Sequence, residues 1–449
     1  MASVGNCESG PGALGGLRVP GDEAAAGGFD PAVGPAAPEK PEQIGIEPEM
    51  LADLALKMAN LVPHFTTDWA VERLCLPRGL VNELLERLVD EKLLEVLGRV
   101  NPLNNRYAVT RQGHSRGDRL LEVSSYVGPA PVSLESHTRA IESQCARFPE
   151  VSDAEVAEAI SGLVLAEEAV QVAGLAVSSG RSLFVFGPPG NGKTTLGHML
   201  HGALRGELWI PYCIGIGSHV IRIYDPACHR QVAAAGDDGG VRLDRRWLKI
   251  RRPMVVVGGE LTLDALDLVH GYSRGFYEAP LHVKANGGLF LLDDFGCQRA
   301  EPHLLVNRWI IPLEHQVDYL TLQTGQQVRV PFRQLLVIST NLNPADVTTP
   351  GLMRRLGYRL YLANPTRERY ARIFAEYCAR SGLGLPEGLV EWLFERYARE
   401  QRPLHCCEPR DLIERARDIC RYQGQPAELS REVMDLAWRG YFSNQQPGE

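Results

Sequence analysis

The sequence lacks the features that would place the protein in a membrane or in an oxidising compartment. No apolar run among its 449 residues reaches the roughly 20 residues that a membrane-spanning helix needs. The first residues have neither the basic start nor the apolar stretch of a secretory signal. The ten cysteines are scattered without a CxxC pair, which argues against a disulfide framework or a zinc ribbon. The cytoplasm is therefore the expected compartment.

The chain also lacks an excess of positive charge. Its net charge is −8, which argues against a protein whose main activity is coating nucleic acid. Hydrophobic residues make up 44% and charged residues 23%, as in an ordinary globular chain. At roughly 100–200 residues per domain, the length predicts about two to four folding units.

Two regions precede the main domain. Residues 1–44 are rich in Gly, Ala and Pro and contain few large apolar residues, so we expect a disordered tail. Residues 46–123 combine helical apolar periodicity with two short strand-like runs around a turn rich in Asn and Pro. This order of helices followed by a two-stranded wing resembles a winged-helix domain, which is an α+β fold.

The charge of residues 46–122 bears on what such a domain would bind. The segment has twelve acidic and ten basic side chains, a net of −2. Its would-be recognition helix carries Glu83, Glu86 and Asp90, which a phosphate backbone would repel. A protein–protein adaptor is favoured, while arginines in and after the wing, such as Arg99 and Arg106, keep DNA binding open.

The remaining chain divides by its secondary-structure pattern. Residues 124–150 are predicted to be a linker. Residues 151–365 alternate strands and helices, as in a parallel α/β sheet, and residues 366–449 are predicted to be helical. The long stretch 206–287 is expected to be a β-rich insertion, with a candidate substrate loop at 271–277.

A phosphate-binding loop lies near the middle of the chain. Residues 181–186 read as a buried strand, and Thr195 opens a helix, so the glycine-rich segment between them has the strand–loop–helix context of a Walker A motif. Glycines let backbone N–H groups approach phosphates closely, and the helix N-terminus favours negative charge. The predicted ATP-binding residues of the loop are Gly187, Pro188, Pro189, Gly190, Asn191, Gly192, Lys193, Thr194 and Thr195.

Two later strands end in polar side chains. The apolar run 288–292 is followed by Asp293 and Asp294, a Walker B pattern. Asp293 and the Thr194 hydroxyl are the predicted Mg²⁺ ligands, and Asp294 is the predicted catalytic carboxylate. The strand 335–340 precedes Asn341, which is expected to reach the outer phosphate or the attacking water.

With these motifs the segment 155–440 resembles the AAA+ ATPases, which are P-loop proteins with a helical lid. The resemblance implies that Asn341 is a sensor, that Arg355 with Arg354 acts on a neighbour's ATP, and that Arg410 points from the lid at the nucleotide. It also implies a homo-oligomeric ring, such as a hexamer. A predicted hairpin at 317–330 looks like that of the pre-sensor-1 hairpin clade, within which the MoxR-like ATPases, helper chaperones for client proteins, are most similar.

One departure from the family pattern affects the expected rate. The usual Walker B pair is Asp-Glu, whereas this chain has Asp293 and Asp294. The shorter side chain withdraws the carboxylate by roughly 1.5 Å, and a misplacement of about 1 Å can cost about 100-fold in rate. Three functions therefore stay open: an ATP-driven remodeller of a client protein, a DNA-linked regulator, and a slow ATP-dependent switch.

Overall fold

The computed structural model describes residues 29–30, 33–146, 151–232, 242–271 and 275–442. Within these ranges, no helix combines the length and the apolar character needed to cross a membrane. The fold class predicted from the sequence is confirmed: a parallel sheet flanked by helices is followed by a helical C-terminal region.

The first described segment is not a disordered tail over its whole length. Within residues 33–44 the amide of Ala37 donates to the carbonyl of Arg242 over 2.7 Å, and the Pro35 carbonyl accepts from the amide of Asp244 over 2.8 Å. The prediction of a tail over 1–44 is therefore wrong for 33–44, and residues 1–28 and 31–32 lie outside the described ranges. The elements here are β1 (Phe29–Asp30), β2 (Gly34–Pro35) and α1 (Pro41–Ile44).

Residues 48–123 form helices packed on a three-stranded antiparallel sheet. The Thr66 hydroxyl accepts from the amide of Trp69 and so caps the second helix of this region. Leucines at helical spacing, including Leu85 and Leu88, are fully buried in the shared core. The elements are α2 (Pro48–Ala59), β3 (Phe65–Thr66), α3 (Thr67–Leu74), α4 (Arg78–Asp90), β4 (Leu94–Asn101), β5 (Asn104–Val109) and α5 (Arg111–Val123).

The predicted linker 124–150 contains regular structure, namely β6 (Val132–Ser133) and α6 (Leu134–Cys145). The side-chain amide of Gln144 donates to the carbonyl of Trp209 over 3.0 Å and its oxygen accepts from the Trp209 amide over 2.7 Å. Ile141 is fully buried in the same core. Helix α6 is thus part of a packed layer and not a bare connection.

The segment before the insertion contains α7 (Asp153–Ala159), α8 (Glu167–Ser179), β7 (Leu183–Phe186) and α9 (Lys193–Ala203). Residues 206–287 consist mainly of short strands. They contain β8 (Glu207–Pro211), β9 (Cys213–Ile216), β10 (His219–Arg222), β11 (Trp247–Arg251), β12 (Met254–Val257), a 3-10 helix (Asp264–Leu266), β13 (Val269–His270), β14 (Tyr277–Glu278) and α10 (Leu281–Lys284).

One strand of that stretch belongs to the main sheet. Strand β12 pairs in parallel with the strand at 289–292, so the boundaries predicted for the insertion are too wide. Strands β13, β14, β10, β9 and β6 form a separate five-stranded sheet, and β11 pairs with β8. The predicted substrate loop at 271–277 lies partly outside the described residues, because 272–274 are not described.

The rest of the α/β domain follows in order. Its hairpin of β16 and β17 is antiparallel and spans the predicted turn near Gly325. The elements are β15 (Leu289–Leu292), α11 (Pro302–His315), β16 (Val317–Thr321), β17 (Gln327–Pro331), β18 (Leu335–Thr340), α12 (Pro344–Val347), α13 (Pro350–Arg355) and β19 (Tyr358–Tyr361).

The main sheet has the order β12-β15-β18-β7-β19, and all of its pairs are parallel. Its central strands β15 and β18 are covered on both faces, which explains their continuous apolar runs. The carboxyl ends of β15, β18 and β7 lie side by side at one edge. In open parallel sheets this is the edge where ligands bind.

Four helices complete the described part of the chain: α14 (Arg367–Arg380), α15 (Leu389–Arg399), α16 (Glu408–Tyr422) and α17 (Arg431–Phe442). They enclose their own core, in which Tyr370, Phe374 and Trp438 are fully buried. The predicted helical lid thus corresponds to a helical unit with its own hydrophobic core.

Candidate nucleotide site

The glycine-rich loop connects β7 to α9 and depends on backbone conformations that favour glycine. Gly187, Gly190 and Gly192 have φ of 138°, 76° and 83°. A Cβ on Gly187 would come within 2.4 Å of the Leu362 carbonyl oxygen. Helix α9 begins at Lys193 and runs for eleven residues, so its free N–H groups face the loop. The loop and helix start together form a site suited to phosphate oxygens.

Lys193 lies inside this loop and is only 5% exposed. Its ammonium donates to the carbonyl oxygens of Gly187 and Pro188 over 2.9 and 2.7 Å. Burial lowers the pKa of Lys193, while Asp294 and Asp293 offset part of that shift. The lysine is therefore held at the loop by weak neutral acceptors, which phosphate oxygens would replace with stronger charged ones.

Asp293 and Thr194, the two predicted Mg²⁺ ligands, meet beside the loop. The Thr194 hydroxyl donates to Oδ1 of Asp293 over 2.9 Å. The same carboxylate oxygen accepts from the hydroxyl of Ser339, which is 1% exposed. This arrangement brings a carboxylate and a hydroxyl within reach of one hard cation.

These oxygen donors fit Mg²⁺ held partly by a nucleotide. Within the described part of the chain, no group of three His, Cys, Asp or Glu side chains is arranged to hold a metal. Mg²⁺ commonly binds one or two protein oxygens and completes its shell with phosphates and water. Thr194 and Asp293 supply that kind of donor set, with Ser339 orienting the carboxylate.

Asp294 stands next to Asp293 but faces a different partner. Its Oδ1 accepts from the Asn341 side-chain amide over 2.9 Å. Its backbone has φ 47°, a left-handed conformation that Asp and Asn tolerate better than most residues. The side chain of Gln298 donates to the backbone carbonyls of Asp293 and Asp294 over 2.9 and 3.1 Å and so fixes the turn.

The helical unit contacts the loop directly. The amide of Cys407 donates to the Gly190 carbonyl over 2.9 Å, and the amide of Cys406 donates to Oδ1 of Asn191 over 3.2 Å. The Asn191 amide donates in turn to Asn364 over 2.8 Å. A nucleotide bound at the loop would therefore touch both units.

A cavity of about 460 Å³ opens between the two units. Asp294, Asn341 and Arg410 line it together with the loop, and Arg410 is paired with Asp411 over 3.0 Å. The segment 162–165 also lines this cavity. The lining residues of the loop and helix start are Pro189, Gly190, Asn191, Gly192, Lys193, Thr194 and Thr195.

Two predicted residues lie elsewhere. Arg354 and Arg355, in the last turn of α13, line a different cavity of about 690 Å³. Arg355 forms an ion pair with Glu314 over 2.6 Å. Neither arginine lines the cavity of its own P-loop, so within one chain they do not contribute to that site.

Several lining residues escaped the sequence analysis. Tyr377 and Arg380 of α14 lie on the cavity wall, with the Arg380 guanidinium 5.8 Å from the centre of the Tyr377 ring. Cys406 and Cys407 line it as well. Ser339 was also missed, although it stands two residues before Asn341 on the same face of the strand, a spacing that could have revealed it.

Comparison with known protein families identifies only the C-terminal part of the chain. A family model described as a domain of unknown function (DUF8689) matches residues 366–440, the helical unit. No curated protein matches the sequence.

Comparison with solved structures finds distant likenesses. One is to a mutant of RuvB from Thermotoga maritima, with 12% identity, a TM-score of 0.36, and coverage of 63% of this chain and 72% of that chain. Another is to NtrX from Brucella abortus in complex with ATP, with 14% identity, a TM-score of 0.37, and coverage of 72% and 62%. Scores this low carry no functional assignment, which rests on the geometry of the site.

Proposed function

We propose that this protein is an AAA+ type ATPase that binds ATP with Mg²⁺ and hydrolyses it to remodel or activate a partner protein. The observation that carries the proposal is the convergence of Lys193, Asp294, Asn341 and Arg410 around one cavity large enough for a nucleotide, with Asp293 hydrogen-bonded to the lining residue Thr194. They come from the start of α9, the ends of β15 and β18, and the helical unit, and each supplies a function that phosphoryl transfer requires.

The residues divide the chemistry among them. Lys193 and the N–H groups at the start of α9 neutralise the outer phosphates. Thr194 and Asp293 would hold Mg²⁺, which supplies charge compensation between the phosphates when bound. Asp294 accepts a proton from, or orients, the attacking water, and Asn341 keeps that carboxylate in place through its 2.9 Å hydrogen bond.

The position of the two α13 arginines supports an oligomeric ring. Arg354 is exposed and Arg355 is partly exposed, and both lie away from the cavity of their own loop. An arginine supplied by a neighbour stabilises transition-state charge and can contribute about 10³- to 10⁵-fold in rate. When the ring assembles, Arg355 leaves its ion pair with Glu314 and binds a phosphate of the ATP held by the neighbouring subunit.

The helical unit would transmit the result of hydrolysis. Arg410 on α16 lines the cavity, and the backbone amide of Cys407 donates a hydrogen bond to the Gly190 carbonyl of the loop. Loss of the terminal phosphate would remove the partner of Arg410 and allow the unit to rotate. The hairpin of β16 and β17, between the Walker B strand and the Asn341 strand, supports a resemblance to the MoxR-like chaperones.

The N-terminal region supports a protein partner better than DNA. The order of α2, α3 and α4 together with the β3-β5-β4 sheet supports a resemblance to a winged helix. The exposed face of α4 presents Glu83, Glu86 and Asp90. Leu97 and Leu103 in the β4–β5 hairpin are 53% and 71% exposed. An acidic helix beside an apolar hairpin is suited to a protein surface and would be repelled by phosphates.

The hydrolysis proposal is tested with Asp294→Asn. Asparagine tolerates the left-handed backbone at this position, so the fold and ATP binding should persist. Steady-state phosphate release should fall on the order of 100-fold or more. Asp418→Asn, an exposed change on α16, is the matched control and should leave turnover unchanged. Equal phosphate release by wild type and Asp294→Asn would refute the mechanism.

The partner proposal is tested with the same ATP-locked variant. Asp294→Asn should capture a client protein in the presence of ATP and release it in ADP, and adding Leu97→Asp should abolish capture. Fluorescence anisotropy with a DNA duplex at low salt tests the alternative. Salt-dependent duplex binding that Arg99→Gln and Arg106→Gln weaken would favour the DNA-linked regulator.

A further inference from the structure

A second cavity of about 690 Å³ lies at the opposite end of the main sheet from the nucleotide site. It is formed where the strands β7, β18 and β19 begin, and by the C-terminal ends of α6, α8, α11 and α13. The residues that define its chemistry are Arg181, Gln316, Arg333, Gln334, Arg354 and Arg355.

The lining of this cavity is strongly positive. Four of its residues are arginines, and among the described residues no Asp or Glu lines it. The nearby carboxylate of Glu314 is paired with Arg355 over 2.6 Å. Burial raises the pKa of the lining thiol of Cys145 to about 11, so that thiol adds no negative charge near neutral pH.

Helix ends offset only part of this charge. Each helix C-terminus contributes about half a negative charge at most, and only within its last turn. The C-terminal ends of α6, α8, α11 and α13 therefore compensate for at most about two of the four guanidinium groups. Glu314 compensates for one more, which leaves a net positive cavity.

A buried amide without a partner marks the same place. Gln334 is 5% exposed, and neither its side-chain nitrogen nor its oxygen has a hydrogen-bond partner among the described residues. The Nε of the adjacent Arg333 is also buried without a hydrogen-bond partner among the described residues. Leaving such groups unpaired is costly, so a native protein normally satisfies them with a ligand, water or ion.

We propose that this cavity is a second anion site that binds a small phosphate-bearing ligand. Arginine forks match phosphate oxygens with two parallel hydrogen bonds, and the Gln334 amide can donate to one more oxygen. The volume accommodates a diphosphate with room for a small organic group. We assign the phosphate contacts to Arg181, Arg333 and Gln334, so the site does not require Arg355, which is assigned above to a neighbour's phosphate. It also does not depend on hydrolysis at the P-loop.

The site is placed to influence the nucleotide cavity. Arg181 lies just before β7, whose other end carries the P-loop, and Gln334 immediately precedes β18, whose other end carries Ser339 and Asn341. At about 3.3 Å per residue the two sites are on the order of 20 Å apart. A ligand that fixes the starts of both strands would bias the geometry of their ends.

The test is calorimetric titration of the full chain carrying Lys193→Ala with inorganic pyrophosphate, without nucleotide or added magnesium, so that the P-loop lacks its phosphate-binding cation. One pyrophosphate should bind per chain. Gln334→Leu and Arg181→Gln should each weaken binding by about tenfold or more, because each removes hydrogen bonds to a charged ligand. Arg421→Gln, 83% exposed on α16, is the matched control and should bind as the Lys193→Ala chain does.

Two variants and two further probes keep the outcomes distinct. Orthophosphate should bind at the same site more weakly, and citrate, a trianion without phosphate, should not compete. No pyrophosphate binding to the Lys193→Ala chain, or binding that neither further variant weakens, would overturn the proposal. Equal binding of citrate would overturn the assignment to phosphate. Arg181 is exposed, so its variant remains informative if Gln334→Leu fails to fold.

Discussion

The two ends of the main sheet are built from the same strands but differ in how their polar groups are paired. At the carboxyl ends, the Asp293 carboxylate accepts hydrogen bonds from Thr194 and Ser339. The Asp294 carboxylate accepts one from Asn341. At the amino ends, the Gln334 amide has no partner among the described residues and arginines dominate the lining. One end is pre-organised around carboxylates, which suits a cation and its phosphates, and the other is arranged for an anion.

The difference also explains which end can be found in a sequence. The carboxyl-end site is carried by contiguous motifs, because a P-loop needs its glycines, lysine and threonine in one short run. The amino-end cavity is assembled from α6, the start of β7, the end of α11, the start of β18 and the end of α13. No local pattern connects those segments, so only the fold brings them together.

The largest expected effect follows from removing Lys193, the buried cation of the carboxyl-end site. Lys193→Ala should lower ATP affinity on the order of 100-fold or more, because a buried charge partner of the phosphates is lost. Fluorescence titration with a labelled ATP analogue measures it. Lys249→Ala, which removes a lysine paired with Glu207 on β8, is the control and should bind as wild type. Normal affinity in Lys193→Ala would mean that the nucleotide binds elsewhere.

A smaller effect tests the hydrogen bond that orients the metal ligand. Ser339→Ala leaves Asp293 with one fewer donor and should lower the apparent Mg²⁺ affinity by about 10- to 100-fold. The magnesium dependence of phosphate release measures it, with Ser115→Ala on the exposed face of α5 as the control. An unchanged magnesium dependence would remove Asp293 from the metal site.

A third change distinguishes the two arginines of the cavity wall. Arg410→Gln should raise the KM for ATP by about tenfold, since it removes a charged hydrogen bond to the nucleotide. Arg380→Gln should have a smaller effect, because that guanidinium lies over the Tyr377 ring. Steady-state kinetics on both variants decide between them. A larger effect at Arg380 would move the sensor role from α16 to α14.

The smallest expected effect concerns the amino end. Gln334→Leu should leave the free energy of unfolding within about 1 kcal/mol of wild type or raise it, because a buried amide without a partner is replaced by an apolar group of similar size. Urea unfolding in the absence of phosphate measures it. A loss of several kcal/mol would show that Gln334 makes structural hydrogen bonds, and the contrast between the two ends would weaken.

Sequence reasoning went furthest where a function requires particular residues in a row. The P-loop, the strand ending at Asp293 and the hairpin near Gly325 all have local signatures, and the structure contains each of these elements. Reasoning failed where tertiary pairing decides the structure. Strand β12 looked like part of the insertion because nothing local shows that it pairs with β15.

The composition of the segments that precede the main domain also gave a wrong prediction of their structure. The segment 33–44 is poor in large apolar residues, yet it gains backbone hydrogen bonds from residues about two hundred positions away. Helix α6 was hidden because the stretch around it contains turn-forming residues, while its burial depends on contact with Trp209. Neither contact is visible to a local pattern.

The central claim is that Asp294 serves hydrolysis and not binding alone. Single-turnover assays with labelled ATP and excess protein test it most directly, because they measure the chemical step without product release. The account predicts labelled phosphate within minutes in the wild type and at least about 100-fold slower formation in Asp294→Asn, with equal ATP binding in both. No product from the wild type over that time, despite tight binding, would contradict it and leave a nucleotide switch in place of a hydrolase.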